Sequence, residues 1–219
     1  MAGPLLLVVG AGPGISLATA RRFGAEGFAV GLVARRGENL RRCHDELAAA
    51  GVPVFSRVAD CSRETELDAA LQEIQAEAGV PGVLLYNAAN IKWRNLLDET
   101  AGSLMADFAV NVAGALTAVR AVLPALRAAN RGTILLTGSM FAEKPSPAFG
   151  SLSIGKAGLR NLAGSLAQAL DGTAIKVHYL SIQGRVSADD PQRSPAVIAE
   201  RCWQLHSGAL APGTIDAVI

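Results

Sequence analysis

Charge of neither sign is in surplus in this sequence: 20 lysines and arginines offset 19 aspartates and glutamates, for a formal net charge of +1 at pH 7. A chain without a basic field cannot neutralise a phosphate backbone or an anionic bilayer surface, so neither nucleic acid nor a membrane is an expected partner. Cysteine is scarce as well. Cys43, Cys61 and Cys202 are odd in number and scattered, without metal-ligand spacing, which argues against a disulfide framework and against a metal site. No charged-then-apolar leader precedes the first apolar run, and a reducing cytoplasm is the expected compartment. Long uninterrupted apolar runs are missing too: Leu104 to Leu126 is broken by Asp107, Asn111 and Arg120, which makes it a poor membrane span. Internal repeats and low-complexity tails are also absent.

What the chain does have is apolar content: half of its 219 residues, enough for one sizeable core and one domain over residues 1–219. Short runs rich in Val, Leu and Ile read as strands at Leu5–Val9, Phe28–Ala34, Val52–Val58, Gly82–Tyr86, Thr133–Thr137, Ala174–Leu180 and Thr214–Val218. Helical stretches alternate with them at Ile15–Glu26, Glu38–Ala50, Arg63–Ala78, Gly102–Ala128, Ser151–Leu170 and Pro195–Leu205. Because the strands are apolar almost throughout, both faces of the sheet must be covered. The expected fold is α/β, a doubly wound, Rossmann-like parallel sheet of about seven strands with helices on both faces. The helices at 102–128 and 151–170 are apolar around most of their circumference. Their outer sides are expected either to meet the same helices of a second copy, in a homodimer or homotetramer, or to be buried within one chain. Residues 184–194, with Gly, two Asp and Pro, read as a loop and a short lid.

The first strand runs straight into Gly10-Ala11-Gly12-Pro13-Gly14-Ile15. Glycines let the backbone turn tightly and approach a ligand with no Cβ between, and the helix that follows aims free N–H groups at a phosphate, so the junction reads as a dinucleotide site. The spacing is G-x-x-x-G, with Ser16 where a last glycine would stand. Arg35 and Arg36 follow the second strand, where a carboxylate would grip a ribose 2′-hydroxyl and where cationic forks would hold a 2′-phosphate. The pair favours NADP(H); taken without the glycine turn it would be an ordinary solvated charge pair. Asp60 closes the third strand and can accept from an adenine amino group, with Cys61 beside it, and Asn87-Ala88-Ala89 ends the fourth with small residues. Thr137-Gly138-Ser139 ends the fifth strand, Lys156 lies on the next helix, and Asn111 lies inside the long helix before it. In an open parallel sheet, ligands sit at the carboxyl ends of the strands, where most of these residues fall.

In order and spacing, the Gly10–Ile15 turn, Arg35, Asp60, Asn87-Ala88-Ala89, Asn111, Ser139 and Lys156 resemble the short-chain dehydrogenase/reductase superfamily over nearly the whole chain. The resemblance implies that Ser139 orients a substrate carbonyl and that Lys156 binds the nicotinamide ribose. It implies that Asn111 positions a water in a proton relay, and that a tyrosine four residues before the lysine moves the proton. Here that position is Leu152, flanked by Ser151 and Ser153. The chain therefore resembles an atypical short bacterial member lacking the active-site tyrosine, a reading that the helix around Ser194–His206 shares. Without a phenol, an iminium, an activated alkene or a carbonyl that finds its proton elsewhere is the expected substrate. Trp93, Met140 and Leu152 are expected around the substrate pocket, with core packing the alternative for Trp93. A non-redox use of the same fold, as an isomerase, dehydratase, cyclase or inactive binding subunit, remains the other reading. Trp203 and His206 are expected to pack and cap their helix.

Overall fold

A computed structural model describes residues 3–208 and 216–219. Its strands are β1 Leu5–Val9, β2 Ala29–Ala34, β3 Val54–Val58, β4 Pro81–Tyr86, β5 Gly132–Thr137, β6 Ile175–Ser181 and β7 Asp216–Val218, and they form one seven-stranded sheet in the order β3-β2-β1-β4-β5-β6-β7. Every pairing is parallel. The helices are α1 Ile15–Gly24, α2 Gly37–Ala49, α3 Glu64–Ala78, α4 Ala101–Phe108, α5 Gly114–Ala129, α6 Gly150–Ala169 and α7 Pro195–Ser207. Residues 214 and 215 of the expected last strand lie outside the described residues.

The apolar strands serve two cores, one per face. Along β1, Leu5, Leu7 and Val9 point into a core shared with α3, α5 and α6, while Leu6 and Val8 point into a core shared with α1, α2 and α7. Residues alternate between faces along a strand, so a strand covered on both sides reads as unbroken hydrocarbon. β3, at one edge of the sheet, is only partly buried. It starts two residues later than expected because the Val52 N–H caps α2 by donating to the Leu47 carbonyl, and Pro53 has no N–H to give to a ladder.

The helix expected over 102–128 is interrupted. Between α4 and α5 the chain makes a π turn, Ala109–Ala113. Two groups from outside hold it: the Tyr86 hydroxyl donates to the Val110 carbonyl, and the Asn111 Oδ1 accepts the Asn90 N–H at 2.9 Å. Gly114 follows because a Cβ there would collide with the Cys61 carbonyl and the Tyr86 hydroxyl. By length and composition the course Ala101–Ala129 is apolar enough to cross a bilayer, contrary to what its polar interruptions suggest. In this fold Ala115, Ala118, Val119, Val122 and Leu126 of α5 lie in the sheet core. Asp107 on α4 is enclosed, 2.7 Å from the Lys92 ammonium and 3.2 Å from the Asn90 amide. Burial alone would raise its carboxyl, but Lys92, with help from Ser151 and Asn90, holds it below the ordinary carboxylate range.

α7 closes the other face. Trp203 meets Phe23 edge-on at 5.1 Å with the Arg22 guanidinium over its ring, and His206 Nδ1 lies 2.9 Å from the Thr133 hydroxyl.

Candidate active site

The order of the sheet changes direction between β1 and β4, and two adjoining cavities open there at the carboxyl ends of the strands. The first, about 430 Å³, takes in Gly10, Arg35, Arg36, Asp60, Cys61, Asn87, Ala88 and Ala89. The second, about 810 Å³, takes in Gly12, Pro13, Gly14, Ile15, Ser139, Met140, Leu152 and Lys156. Both are lined by Asn87, Ala89 and Ile91, so they form one cleft across the sheet's rim.

The glycine turn is built to keep that rim thin. Gly10 has φ +88°, and a Cβ on it would sit 2.6 Å from the Cα of Ala88. At Gly12 and Gly14 a Cβ would meet no protein atom, and both line the cleft, so the room saved there is room for a ligand. Ser16 in the last-glycine position is structural: its hydroxyl donates to the Gly10 carbonyl and accepts from the Asn87 amide, both at 2.8 Å, tying the turn to β4. No side chain caps the start of α1, which leaves its end to an anion.

At the other end of the cleft, Arg35 stands 3.9 Å from Asp60. Burial would raise the Asp60 carboxyl, but the N–H and hydroxyl of Ser62, with Arg35 and Arg63 beyond them, hold it below its usual range. A carboxylate that is ionised and already engaged can share its arginine with a phosphate without itself taking up a proton. Arg36 is exposed at the start of α2.

Around the second cavity, Ser139 begins a short 3-10 turn, Met140–Ala142, and its Oγ accepts the Phe141 N–H at 3.3 Å. Because that contact uses a lone pair, the hydroxyl proton is left to donate into the cleft. Lys156 on α6 is buried, donates to the Thr137 carbonyl at 2.6 Å and has no carboxylate partner among the described residues. Burial pulls its ammonium down to about 8. Leu152, one helical turn earlier, presents hydrocarbon to the same space.

Two expected positions differ in the fold. Asn111 lines neither cavity; it is buried in the π turn, where its Oδ1 fixes the backbone of Asn90. Trp93 is 84% exposed and does not line the cleft; its ring tilts against Phe149 at 5.5 Å, and Phe149, with Phe141, reaches the cavity. The phenols are committed elsewhere. Tyr179 lies wholly buried under the site, its hydroxyl accepting the Ser139 N–H at 3.1 Å and lying 3.3 Å from the Lys156 carbonyl, while Tyr86 serves the π turn. Of the expected lid, Gly184, Arg185 and Val186 line the cleft. Sequence reasoning missed Asn39, Phe149 and Arg185 as lining residues. Phe149 stands one helical turn before Leu152, and that spacing was the available signal.

Comparison with known proteins agrees with this geometry. The family model described as short chain dehydrogenase matches residues 4–187. An uncharacterized oxidoreductase, YvrD, of Bacillus subtilis (strain 168) is 32% identical over 174 residues, covering 80% of this chain and 65% of the relative. Oxidoreductase asL5 of Sarocladium schorii is 29% identical over 181 residues, 83% of this chain and 72% of its own. The chain thus spans somewhat under two thirds of the length of the first of these. Among solved structures, a metagenomic short-chain oxidoreductase in complex with NADP superimposes with a TM-score of 0.87 at 28% identity, covering 100% of this chain and 96% of that one. With a glycine turn, a rim serine and a helix lysine in place on the family's sheet, the chain belongs to the short-chain dehydrogenase family.

Proposed function

We propose that this protein is an NADP(H)-dependent oxidoreductase that moves a hydride to or from a small organic carbonyl, activated alkene or iminium without a phenolic proton carrier. The observation that carries the reading is the continuity of the two cavities. A single ligand can hold Arg35 and Asp60 at one end, cross the Cβ-free turn at Gly12 and Gly14, and reach Ser139 and Lys156 at the other. NADP in the related metagenomic structure supports the same assignment.

The nicotinamide supplies the hydride chemistry when bound; the rest belongs to side chains. Arg35 and Arg36 would hold the 2′-phosphate, and the N–H groups at the start of α1 the diphosphate. Ser139 would donate its hydroxyl proton to a substrate oxygen, an oxyanion-type contact held by the Phe141 N–H behind it. Lys156, tethered to Thr137, keeps two N–H protons beyond that bond and would bind the ribose hydroxyls or pass a proton, directly or through one water, to the same oxygen. Leu152 excludes water from the space between them.

Leu152 is also the observation favouring the other reading, a binding subunit or an isomerase, dehydratase or cyclase. Titration with NADPH and with NADH, followed by nicotinamide fluorescence, separates the two. Saturable NADPH binding, tighter than NADH, is the expected result; binding of neither dinucleotide would overturn the redox reading.

The outer faces of α4, α5 and α6 expose Met105, Leu116 and Ile154. We propose that they pair with a second copy, giving a homodimer or homotetramer. Sedimentation equilibrium should report a multiple of 22.6 kDa, and a single 22.6 kDa species at micromolar concentration would remove the proposal.

A further inference from the structure

The second cavity, which holds the Gly12–Ile15 cradle as well as the substrate end of the cleft, carries charge of one sign only. Its walls are largely apolar, with Ile91, Leu152, Ile182 and Val186 among them, and the charged side chains lining it are Lys156 and Arg185; no aspartate or glutamate does. Lys156 is accounted for by the reaction. Arg185 is not. It follows Gly184 in the loop after β6, where φ is +152° and a Cβ would meet the Arg193 side chain at 3.2 Å. Arg193 is itself neutralised, paired with Asp190 at 2.9 Å, and Asp190 also accepts the N–H groups of Gln192 and Arg193. The loop is thus braced by one arginine whose charge is cancelled, while the other stands at the cleft with no carboxylate within ion-pair distance among the described residues. The same cavity has a flat surface: Phe141 and Phe149 stack at 5.3 Å with 23° between their planes, and both line it.

Resting on the redox reading above, we infer that the substrate is a flat, apolar carbonyl or activated alkene bearing an acidic group. Arg185 grips the carboxylate, the Phe141–Phe149 stack supports the ring, and the electrophilic end meets Ser139 and Lys156. A planar guanidinium fork suits a carboxylate, and the surrounding hydrocarbon strengthens the contact. The same field opposes a cation, so an iminium is the least favoured of these electrophiles: Lys156 and Arg185 line the cavity and, among the described residues, no aspartate or glutamate does.

The test uses three aldehydes of one shape: 4-formylbenzoate, its methyl ester and 4-formyl-N,N,N-trimethylanilinium. Binding to the protein is measured calorimetrically with and without NADPH, and KM and kcat by NADPH oxidation. Wild-type protein should bind the acid about 10-fold more tightly than the ester, an edge moderated by the exposure of Arg185, and the cation most weakly. Arg185→Met should erase the preference through KM with kcat little changed and NADPH affinity kept, and Arg185→Lys should restore part of it. Equal binding of acid and ester by the wild type would overturn the inference. So would a loss of NADPH affinity in Arg185→Met as large as the loss for the acid, which would assign Arg185 to the dinucleotide's phosphates. If NADPH itself fails to bind, the redox reading falls, while the acid-to-ester ratio without NADPH still decides the role of Arg185.

Discussion

Replacing Leu152 with tyrosine should raise the rate of NADPH-dependent reduction of a simple aldehyde about 10²–10⁴-fold, the usual contribution of a positioned general acid. The expectation rests on how little else would have to change. Leu152 already lines the cavity that Ser139 and Lys156 line, on the same helix as Lys156 and one turn before it, so a phenol there would project into the space between the hydroxyl and the ammonium. A nearby ammonium favours the phenolate and so makes the phenol a readier donor. Single-turnover rates with NADPH in excess would check it. A variant that folds and binds NADPH but gains nothing would show that the distance between Ser139 and position 152 no longer suits proton transfer, and would move the weight toward the non-redox reading.

The wild-type pH profile belongs to the same argument. Only the ammonium form of Lys156 can give a proton, and burial has brought its pKa from the usual lysine range down to about 8. If Lys156 is the donor, reduction should be fastest below that value and fall as pH rises through it. In Leu152→Tyr the phenol takes over and that limb should shift. A wild-type rate flat from about pH 7 to about pH 10 would take Lys156 out of the proton path.

The parts of this site that were legible beforehand share one property: each is determined by residues near it in sequence. Leu5–Val9 is a strand to the residue because five buried apolar side chains end at a glycine with positive φ, and the rim residues follow from where such strands stop. The π turn was not legible, because it depends on the Tyr86 hydroxyl and the Asn90 N–H, which arrive from another segment. Asn111 was assigned to the cleft for the same reason: its helical position was right, but its partner is backbone behind the rim. Trp93 misled because a loop aromatic after a rim strand looks like a pocket wall, whereas the fold brings Phe149 in front of it. Arg185 went unnoticed because its meaning comes from charge cancelled elsewhere, at Asp190 and Arg193, and an isolated cation in a loop carries no pattern.

Replacing both Arg35 and Arg36 by alanine should weaken NADPH about 10²–10⁴-fold while changing NADH by less than about 3-fold, since each charge-assisted contact to a phosphate is worth about 1.5–3 kcal/mol and NADH has no 2′-phosphate to lose. Asp60 makes the effect larger than the loss of two contacts. With Arg35 present, the carboxylate 3.9 Å away is balanced; without it, an ionised group held below its usual range by Ser62 is left facing the phosphate. Repulsion then adds to lost attraction for NADPH, and NADH, with hydroxyls at that position, meets an acceptor instead. The single variants should accordingly be unequal, Arg35→Ala costing more than Arg36→Ala, because both are exposed but only Arg35 has a carboxylate within ion-pair distance among the described residues. Raising ionic strength should narrow the gap between the dinucleotides in the wild type and leave the double variant nearly unchanged. Equal losses for NADPH and NADH would mean that the two arginines hold the fold of the β2–α2 corner rather than a phosphate, and the choice of NADP(H) would have to be abandoned.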